Sequence, residues 1–179
     1  MEFRAGITDL ADRIIALFTA TFTASEGAEE GALIGKLVDE MFRTAEAGDL
    51  FVFSALEGET LAGCIVFSRL TFEDDDRTVF ILAPVAVESG RQGKGVGRAL
   101  LTYGLGEVRK RGVDVAVTYG DPAFYGKVGF VPVTAEEVPP PRPLNHPEGW
   151  LAQSLADRPL APVRGRSRCV AALDHPEYW

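Results

Sequence analysis

The chain carries a glycine-rich stretch at residues 91–98, which reads Arg91-Gln92-Gly93-Lys94-Gly95-Val96-Gly97-Arg98. It follows the most apolar segment of the chain, residues 79–87, and opens a helical pattern that continues to Arg111. Glycines at alternate positions let the backbone approach a bulky ligand, and amides at a helix N-terminus bind anions. Lys94 and Arg98 would stand at the positive end of the helix dipole, which is unfavourable unless an anion is bound there. The stretch therefore predicts a phosphate-binding loop, with a tight turn carrying solvated charges as the alternative.

Two familiar phosphate loops do not fit this stretch. A P-loop requires Ser or Thr after its Gly-Lys pair, whereas Gly95 follows Gly93 and Lys94 here. The dinucleotide fingerprint requires a glycine three residues after its second glycine, and the corresponding positions hold Arg98 or Leu100. That fingerprint also lies early in a βαβ series, whereas several predicted elements precede this loop.

The composition is that of one ordinary globular domain. The chain has 179 residues, of which 46% are hydrophobic and 25% are charged, and these values argue against disorder, collagen and coiled coils. Its longest nearly apolar run, residues 79–87, is far shorter than the roughly 18 residues of a membrane span. No leader pattern marks the chain for secretion. We expect a cytoplasmic protein with residues 1–179 in a single domain.

The charge distribution narrows the class of ligand. A net charge of −8 argues against sequence-independent binding of nucleic acid. Between Glu88 and Arg111, however, basic residues outnumber acidic ones, and they are Arg91, Lys94, Arg98, Arg109, Lys110 and Arg111. This basic island indicates a small anionic ligand. The two cysteines lack metal-type spacing and both histidines adjoin prolines, so no metal site is expected.

The predicted elements alternate between α and β around one sheet, which is an α+β, mixed α/β fold. Strands are predicted at residues 3–7, 50–56, 61–70, 79–87, 113–118, 130–133, 150–155 and 169–173. Helices are predicted after Thr8 and Asp9, which would cap the first of them, after residues 26–31, and over residues 96–111. Residues 73–76 predict an acidic loop, and the proline-rich residues 136–149 predict an irregular one.

Pro84 stands inside the most apolar strand, where its missing N–H interrupts a ladder of hydrogen bonds. A proline at such a position indicates a bulge or a splay. Either would leave the amides of Val85, Ala86 and Val87 without a strand partner. A simple edge strand, with Pro84 facing solvent, is the alternative.

Residues 92–97 satisfy the pattern Gln/Arg-x-x-Gly-x-Gly/Ala, and here the sequence resembles the GNAT superfamily of acyl-CoA N-acyltransferases. Two further motifs carry the resemblance. The first motif is the strand Ala83-Pro84-Val85-Ala86-Val87. It ends a few residues before the loop, as the family's coenzyme-binding strand does. The second motif is Pro122-Ala123-Phe124-Tyr125-Gly126-Lys127-Val128-Gly129-Phe130. It is similar to the family's aromatic-Tyr-x-x-x-Gly-Phe signature. The resemblance covers residues 50–133 well.

The resemblance implies a GNAT-like domain with a central twisted sheet, a splayed cofactor strand, and acetyl-CoA as co-substrate without a metal. It assigns coenzyme binding to Val85, Ala86, Val87, Gln92, Gly93, Lys94, Gly95, Val96, Gly97, Arg98, Asp121 and Tyr125. The pantetheine arm would lie along the strand, where an amide would stabilise the oxyanion of the reaction. Asp121 stands where many relatives carry an asparagine.

Two residues are candidates for the proton transfers. The resemblance assigns protonation of the leaving thiolate to Tyr125, whose phenol, with an ordinary pKa of about 10, is protonated at neutral pH. The rate should then decline at high pH as the phenol ionises. Glu88, the carboxylate nearest to the cofactor strand in sequence, is the candidate general base. An ordered water in that role, with Glu88 as an ordinary loop carboxylate, is the alternative.

We therefore expect an acetyl-CoA-dependent N-acetyltransferase in which the primary amine of a small molecule or a protein attacks the thioester directly. Residues 134–179 are expected to complete the sheet and the acceptor side. No nucleic acid and no membrane is expected as a partner, and a homodimer is left open. The alternatives are a non-catalytic acyl-CoA-binding sensor or regulatory module and a structural domain without a ligand.

Overall fold

Four α-helices and eight β-strands form the fold in a computed structural model that describes residues 1–179. The helices are α1 (Ala11–Glu26), α2 (Ala28–Thr44), α3 (Val96–Lys110) and α4 (Pro122–Tyr125). The strands are β1 (Glu2–Ala5), β2 (Leu50–Glu57), β3 (Thr60–Phe72), β4 (Asp75–Val87), β5 (Val115–Tyr119), β6 (Val131–Pro132), β7 (Trp150–Ser154) and β8 (Ser167–Arg168). None of the helices combines the length and the apolar character that crossing a bilayer requires.

All eight strands are hydrogen-bonded in one sheet. Its order is β1-β2-β3-β4-β5-β7-β6, and β8 pairs with β3. The β1/β2, β3/β8, β5/β7 and β6/β7 pairs are antiparallel, whereas β4 and β5 run parallel because α3 connects them as a crossover. The predicted mixed fold class is confirmed, and β7 and β8 show that the C-terminal region adds strands to the sheet.

Contacts within the chain divide it into two compact units, of which the first comprises residues 1–67 and 84–104. In this unit α1 and α2 form a tightly packed antiparallel hairpin. A Cβ atom at Gly31 would lie 1.9 Å from Thr23 Oγ1, and one at Gly35 would lie 2.1 Å from Thr19 Oγ1. Only glycine at these two positions lets the helices approach so closely.

The second unit comprises residues 68–83 and 105–179. An aromatic cluster of Tyr119, Trp150 and Trp179 anchors its C-terminal part. Trp179 stacks on Tyr119 with ring centroids 6.4 Å apart, and Trp150 meets both rings at steep angles. Trp150 Nε1 donates to Val138 O at 2.8 Å, and Asn145 Nδ2 donates to Trp179 O. The proline-rich segment 136–149 is mostly irregular, as predicted, and these bonds hold it in place.

Three local predictions are wrong. Helix α1 has no side-chain cap, since it begins after Leu10, and Asp9 takes a left-handed φ of 58°. The acidic loop does not span residues 73–76: Glu73 and Asp74 form a turn, but β4 already begins at Asp75, whose charge is neutralised by an ion pair. Residues 169–173 are not a strand, since Ala171–Leu173 is a 3₁₀ turn. A short buried apolar run reads the same in a turn as in a strand.

The ion pair of Asp75 and Arg77 fastens the start of β4 to the C-terminal region. The two side chains are only 9% and 17% exposed, and Arg77 Nε and Nη2 donate to Asp75 Oδ1 and Oδ2 at 2.9 and 2.7 Å. Arg77 also donates to Ala161 O and Pro162 O at 2.8 and 2.7 Å. The hydrogen bond from Arg77 is the main reason why the pKa of Asp75 lies far below its usual range.

Asp75→Asn should lower the free energy of unfolding by roughly 1–3 kcal/mol at neutral pH, because it removes the charge from an enclosed pair. This deficit should shrink as the pH falls below about 3.9, the carboxyl pKa of the unfolded chain, since the wild-type pair stabilises the fold only while Asp75 is ionised. Denaturant unfolding at neutral and acidic pH measures both effects. The exposed Asp76→Asn is the control, and a deficit that does not vary with pH would contradict the role of this ion pair.

Candidate functional site

The candidate site begins at the end of β4. The parallel register of β4 with β5 runs from Val79 opposite Val115 to Leu82 opposite Thr118, and it ends two residues before Pro84. This end agrees with the bulge or splay that the proline predicts, because Pro84 has no N–H to donate. After the last residue of β4, Glu88 N donates to Ala62 O of β3 at 2.9 Å. The end of β4 is therefore attached on its β3 side.

The peptide groups at the end of β4 alternate in direction. Ala86 O faces β3, since a Cβ atom at Gly63 would lie 3.0 Å from it. Val87 O accepts a hydrogen bond from Gln92 Nε2 at 3.1 Å and thus points to the other side. Because the N–H and C=O of one strand residue point the same way, the amides of Val85 and Val87 are directed away from β3. The edge that faces away from β3 therefore presents the amides of Val85 and Val87 but not that of Ala86.

Residues 92–98, called the glycine loop below, comprise a turn and the first three residues of α3. Gly93 and Gly95 have left-handed φ values of 73° and 83°, and no atom lies within 4 Å of a Cβ atom built on either of them. The first hydrogen bond of α3 joins Ala99 N to Gly95 O at 3.0 Å. The amides of Val96, Gly97 and Arg98 therefore have no acceptor within the helix, and they form the positive end of its dipole.

Most of the basic island is neutralised within the protein. Arg91 pairs with Glu57 and Glu88, Arg109 pairs with Asp157, and Lys110 and Arg111 pair with Glu107. The two remaining cations are Lys94 and Arg98, which are exposed and form no ion pair. Of the predicted basic island, the structure thus leaves two cations without an ion pair, both on the glycine loop beside the unbonded amides. An anion fits this arrangement.

Glu88, the candidate base, is engaged at both carboxylate oxygens. Its Oε1 accepts from Gly90 N at 3.1 Å, and its Oε2 lies 2.7 Å from Arg91 Nη1. These bonds, that from Gly90 foremost, lower the pKa of Glu88. A lowered pKa weakens a carboxylate as a base at neutral pH, and the two contacts give Glu88 a clear part in shaping the turn that precedes the glycine loop.

Tyr125, the candidate proton donor, lies at the end of α4 in the second unit. Its phenol has a pKa raised to about 12, mainly by burial and also by the charge of Asp121, while a hydrogen bond with Thr118 opposes the increase. The phenol therefore stays protonated far above neutral pH. The decline in rate that ionisation of this phenol is expected to cause therefore shifts to a higher pH. Asp121 caps α4, since its Oδ1 accepts from Ala123 N at 2.8 Å.

Two residues that sequence reasoning missed hold Tyr125 in place. Thr118 is fully buried and donates from Oγ1 to Leu82 O at 2.8 Å, which links Tyr125 through Thr118 to β4. A Cβ atom at Gly120 would lie 2.7 Å from the Tyr125 ring, so glycine is required there. Gly120 lies between β5 and α4, where a glycine is a recognisable signal of a turn. Thr118 gives no such signal, because a threonine inside a strand is an ordinary occurrence.

The predicted site residues thus fall into two groups. The structure gathers Val85, Ala86, Val87 and the glycine loop in the first unit, whereas Asp121 and Tyr125 belong to the second. Within the first group, Gln92 stabilises the turn through Val87 O, Lys94 and Arg98 remain free, and Val96 is a buried residue of the first turn of α3.

Comparison with known proteins gives one consistent family. The sequence model of the acetyltransferase (GNAT) family matches residues 11–130. The uncharacterized N-acetyltransferase YjhQ of Escherichia coli strain K12 is 34% identical over 137 residues, which cover 74% of this chain and 72% of that protein. The uncharacterized N-acetyltransferase YhbS of the same strain is 35% identical over 74 residues, which cover 41% of this chain and 44% of that protein.

Solved structures give the same result for the fold. The crystal structure of YhbS from Escherichia coli in complex with CoA has a TM-score of 0.82 and 26% sequence identity, covering 97% of this chain and 92% of that one. A GNAT family acetyltransferase from Brucella melitensis in complex with acetyl-CoA has a TM-score of 0.74 and 22% identity, covering 97% of both chains. At that identity the second likeness concerns the fold alone.

Proposed function

The chain belongs to the GNAT family of acetyltransferases, and from this premise we propose that it moves an acetyl group from acetyl-CoA to a primary amine. The observation that carries the proposal is the glycine loop. Its unbonded helix amides, its open space at Gly93 and Gly95 and its two unpaired cations fit the phosphates of coenzyme A. The net charge of −8 favours a cationic acceptor, either a small amine or a protein amine.

Each residue of the first group would have a separate part in holding the co-substrate. The amides of Val96, Gly97 and Arg98 would bind phosphate oxygens, and Lys94 and Arg98 would add charge. Val85 and Val87 would bind the pantetheine arm through their amides. When bound, acetyl-CoA supplies an activated acetyl group as a thioester.

Tyr125 would hold the proton that the departing thiolate takes up. The reaction as a whole converts a neutral amine and a thioester into an amide and a thiol, so one proton leaves nitrogen and one reaches sulfur. The phenol would give its proton to sulfur and regain one from solvent. We assign the proton lost by the amine to solvent as well, because Glu88 has a lowered pKa and both of its oxygens are bonded.

Gly95→Trp should abolish the rise in melting temperature that coenzyme A gives the wild-type protein, since the indole would fill the space before the free amides. Gly48→Trp is the matched control, because Gly48 also has a left-handed φ, 91°, and open space around its Cβ position. Both variants carry similar backbone strain of about 1–2 kcal/mol. Thermal unfolding with and without coenzyme A compares them. A full shift retained in Gly95→Trp would remove the glycine loop from the site.

Lys94→Ala and Arg98→Ala should each weaken coenzyme A binding by about tenfold at low salt, because each removes one unpaired cation beside the phosphates. The loss should become smaller as added salt screens these charges. Lys110→Ala, at the far end of the same helix, is the control because Lys110 already pairs with Glu107. Calorimetric titration at two salt concentrations measures the effect, and an equal loss in all three variants would contradict it.

Tyr125→Phe should leave coenzyme A binding nearly unchanged and lower turnover by roughly 10²–10⁴-fold, the usual contribution of general acid catalysis. The wild-type rate should show no falling limb from phenol ionisation near pH 10, because the pKa of Tyr125 is raised to about 12. Thiol release from acetyl-CoA in a screen of amines measures both, with Tyr103→Phe as the control. Unchanged turnover would place the proton donor elsewhere. Tight coenzyme binding without turnover on any amine would favour the acyl-CoA sensor.

A further inference from the structure

Arg91 bridges two carboxylates at the entry to the glycine loop. Its Nε donates to Glu57 Oε2 at 2.8 Å, and its Nη1 donates to Glu88 Oε2 at 2.7 Å. Glu57 is the last residue of β2, and Glu88 directly follows β4. The guanidinium therefore ties the hairpin of β2 and β3 to the turn that leads into the glycine loop.

The bond from Arg91 to Glu57 joins residues much farther apart in the sequence than the other side-chain hydrogen bonds of this turn do. Glu88 accepts from Gly90, and Gln92 donates to Val87, so both bonds join residues at most five positions apart. Arg91 and Glu57 are 34 positions apart in the chain. Local bonds shape the turn, whereas the bond from Arg91 fixes the turn to a distant element. The Arg91 side chain is 27% exposed, so it is partly enclosed by its partners.

The charges around Arg91 exclude it from the group that would bind phosphate. Lys94 and Arg98 form no ion pair, whereas the guanidinium of Arg91 is bonded to two carboxylates. Those carboxylates would repel an anion on the neighbouring loop if no cation neutralised them. Arg91 thus acts on the loop indirectly, through its contacts with Glu57 and Glu88.

We propose that Arg91 is a positioning residue for acetyl-CoA: through Glu57 and Glu88 it holds the glycine loop where its amides and cations meet the phosphates. This inference rests on the proposed function, since it presupposes that the loop binds coenzyme A. It assigns to Arg91 no contact with the co-substrate.

Glu57→Gln separates this role from a purely electrostatic one, because the two roles predict opposite changes in the affinity for coenzyme A. If charge alone mattered, removing a carboxylate near the loop, or freeing Arg91 to reach a phosphate, would tighten coenzyme A binding. If Arg91 positions the loop, the same substitution loosens its anchor, and binding becomes weaker. The glutamine is close in shape to the glutamate, so it changes little besides the charge.

The test is calorimetric titration of the full chain with coenzyme A. We expect Arg91→Ala to weaken binding by about tenfold, Glu57→Gln by about threefold, and the double variant by no more than Arg91→Ala, because the two residues act as one unit. Arg91→Lys should recover part of the loss. The control is Arg13→Ala, since Arg13 donates to Glu59 O on the same hairpin without touching the turn. Its affinity should stay within about twofold of the wild type.

Steady-state kinetics with any accepted amine supply a readout that general destabilisation would not move. KM for acetyl-CoA should rise in Arg91→Ala while kcat at saturation changes by less than about twofold, because the reacting groups are intact once the co-substrate is bound. The melting temperature without ligand should stay near that of the wild type, since exposed ion pairs contribute little to stability.

The outcomes separate the two proposals. A wild-type chain that binds no coenzyme A would overturn the proposed function and this inference with it. Wild-type binding combined with tighter binding by Glu57→Gln, or with unchanged binding by Arg91→Ala, would overturn the role of Arg91 alone. If Arg91→Ala fails to fold, Arg91→Lys and Glu57→Gln still show whether the affinity for coenzyme A falls or rises.

Discussion

The constraint on which the candidate site depends is the proline inside β4. A central strand of a sheet ordinarily has neighbours on both sides, and each peptide group that faces a neighbour is bonded to it. In β4 the parallel register with β5 ends at Leu82, and Pro84 follows two residues later with no N–H to continue it. The strand nevertheless stays attached to β3 as far as Glu88. Where a strand is held on one side alone, every second amide lacks a strand partner, and in the proposed function Val85 and Val87 would use these amides to bind the co-substrate.

Ion pairs within the protein determine which charges near this segment remain unpaired. The sequence offers six basic residues around the glycine loop, and the fold neutralises all but Lys94 and Arg98 with its own carboxylates. A free cation at a helix N-terminus opposes the helix dipole, at a typical cost of about 0.3–1 kcal/mol. Placing two such cations there destabilises the protein slightly without a ligand and stabilises it with a bound anion. The arrangement is thus suited to binding rather than to folding.

Sequence reasoning predicted the parts of the fold and site that depend on local pattern. The glycine loop, the proline in β4, the helix that begins at Val96 and the irregular segment 136–149 each have a signature of their own residues. What it missed depends on partners distant in the chain. Arg77, which pairs with Asp75 at the start of β4, also donates to the carbonyls of residues 161–162. In the basic island, Arg91 and Arg109 are neutralised by Glu57 and Asp157, which are far from them in the chain. No spacing within the sequence reveals such pairings.

The raised pKa of Tyr125 places a requirement on the chemistry. A phenol with a pKa of about 12 is a weaker acid than an ordinary thiol, whose pKa is about 8.5, so full transfer of its proton to a thiolate is uphill. In the proposed reaction, such an uphill transfer would form part of the barrier. A phenolate formed at Tyr125 would therefore have to regain its proton at once.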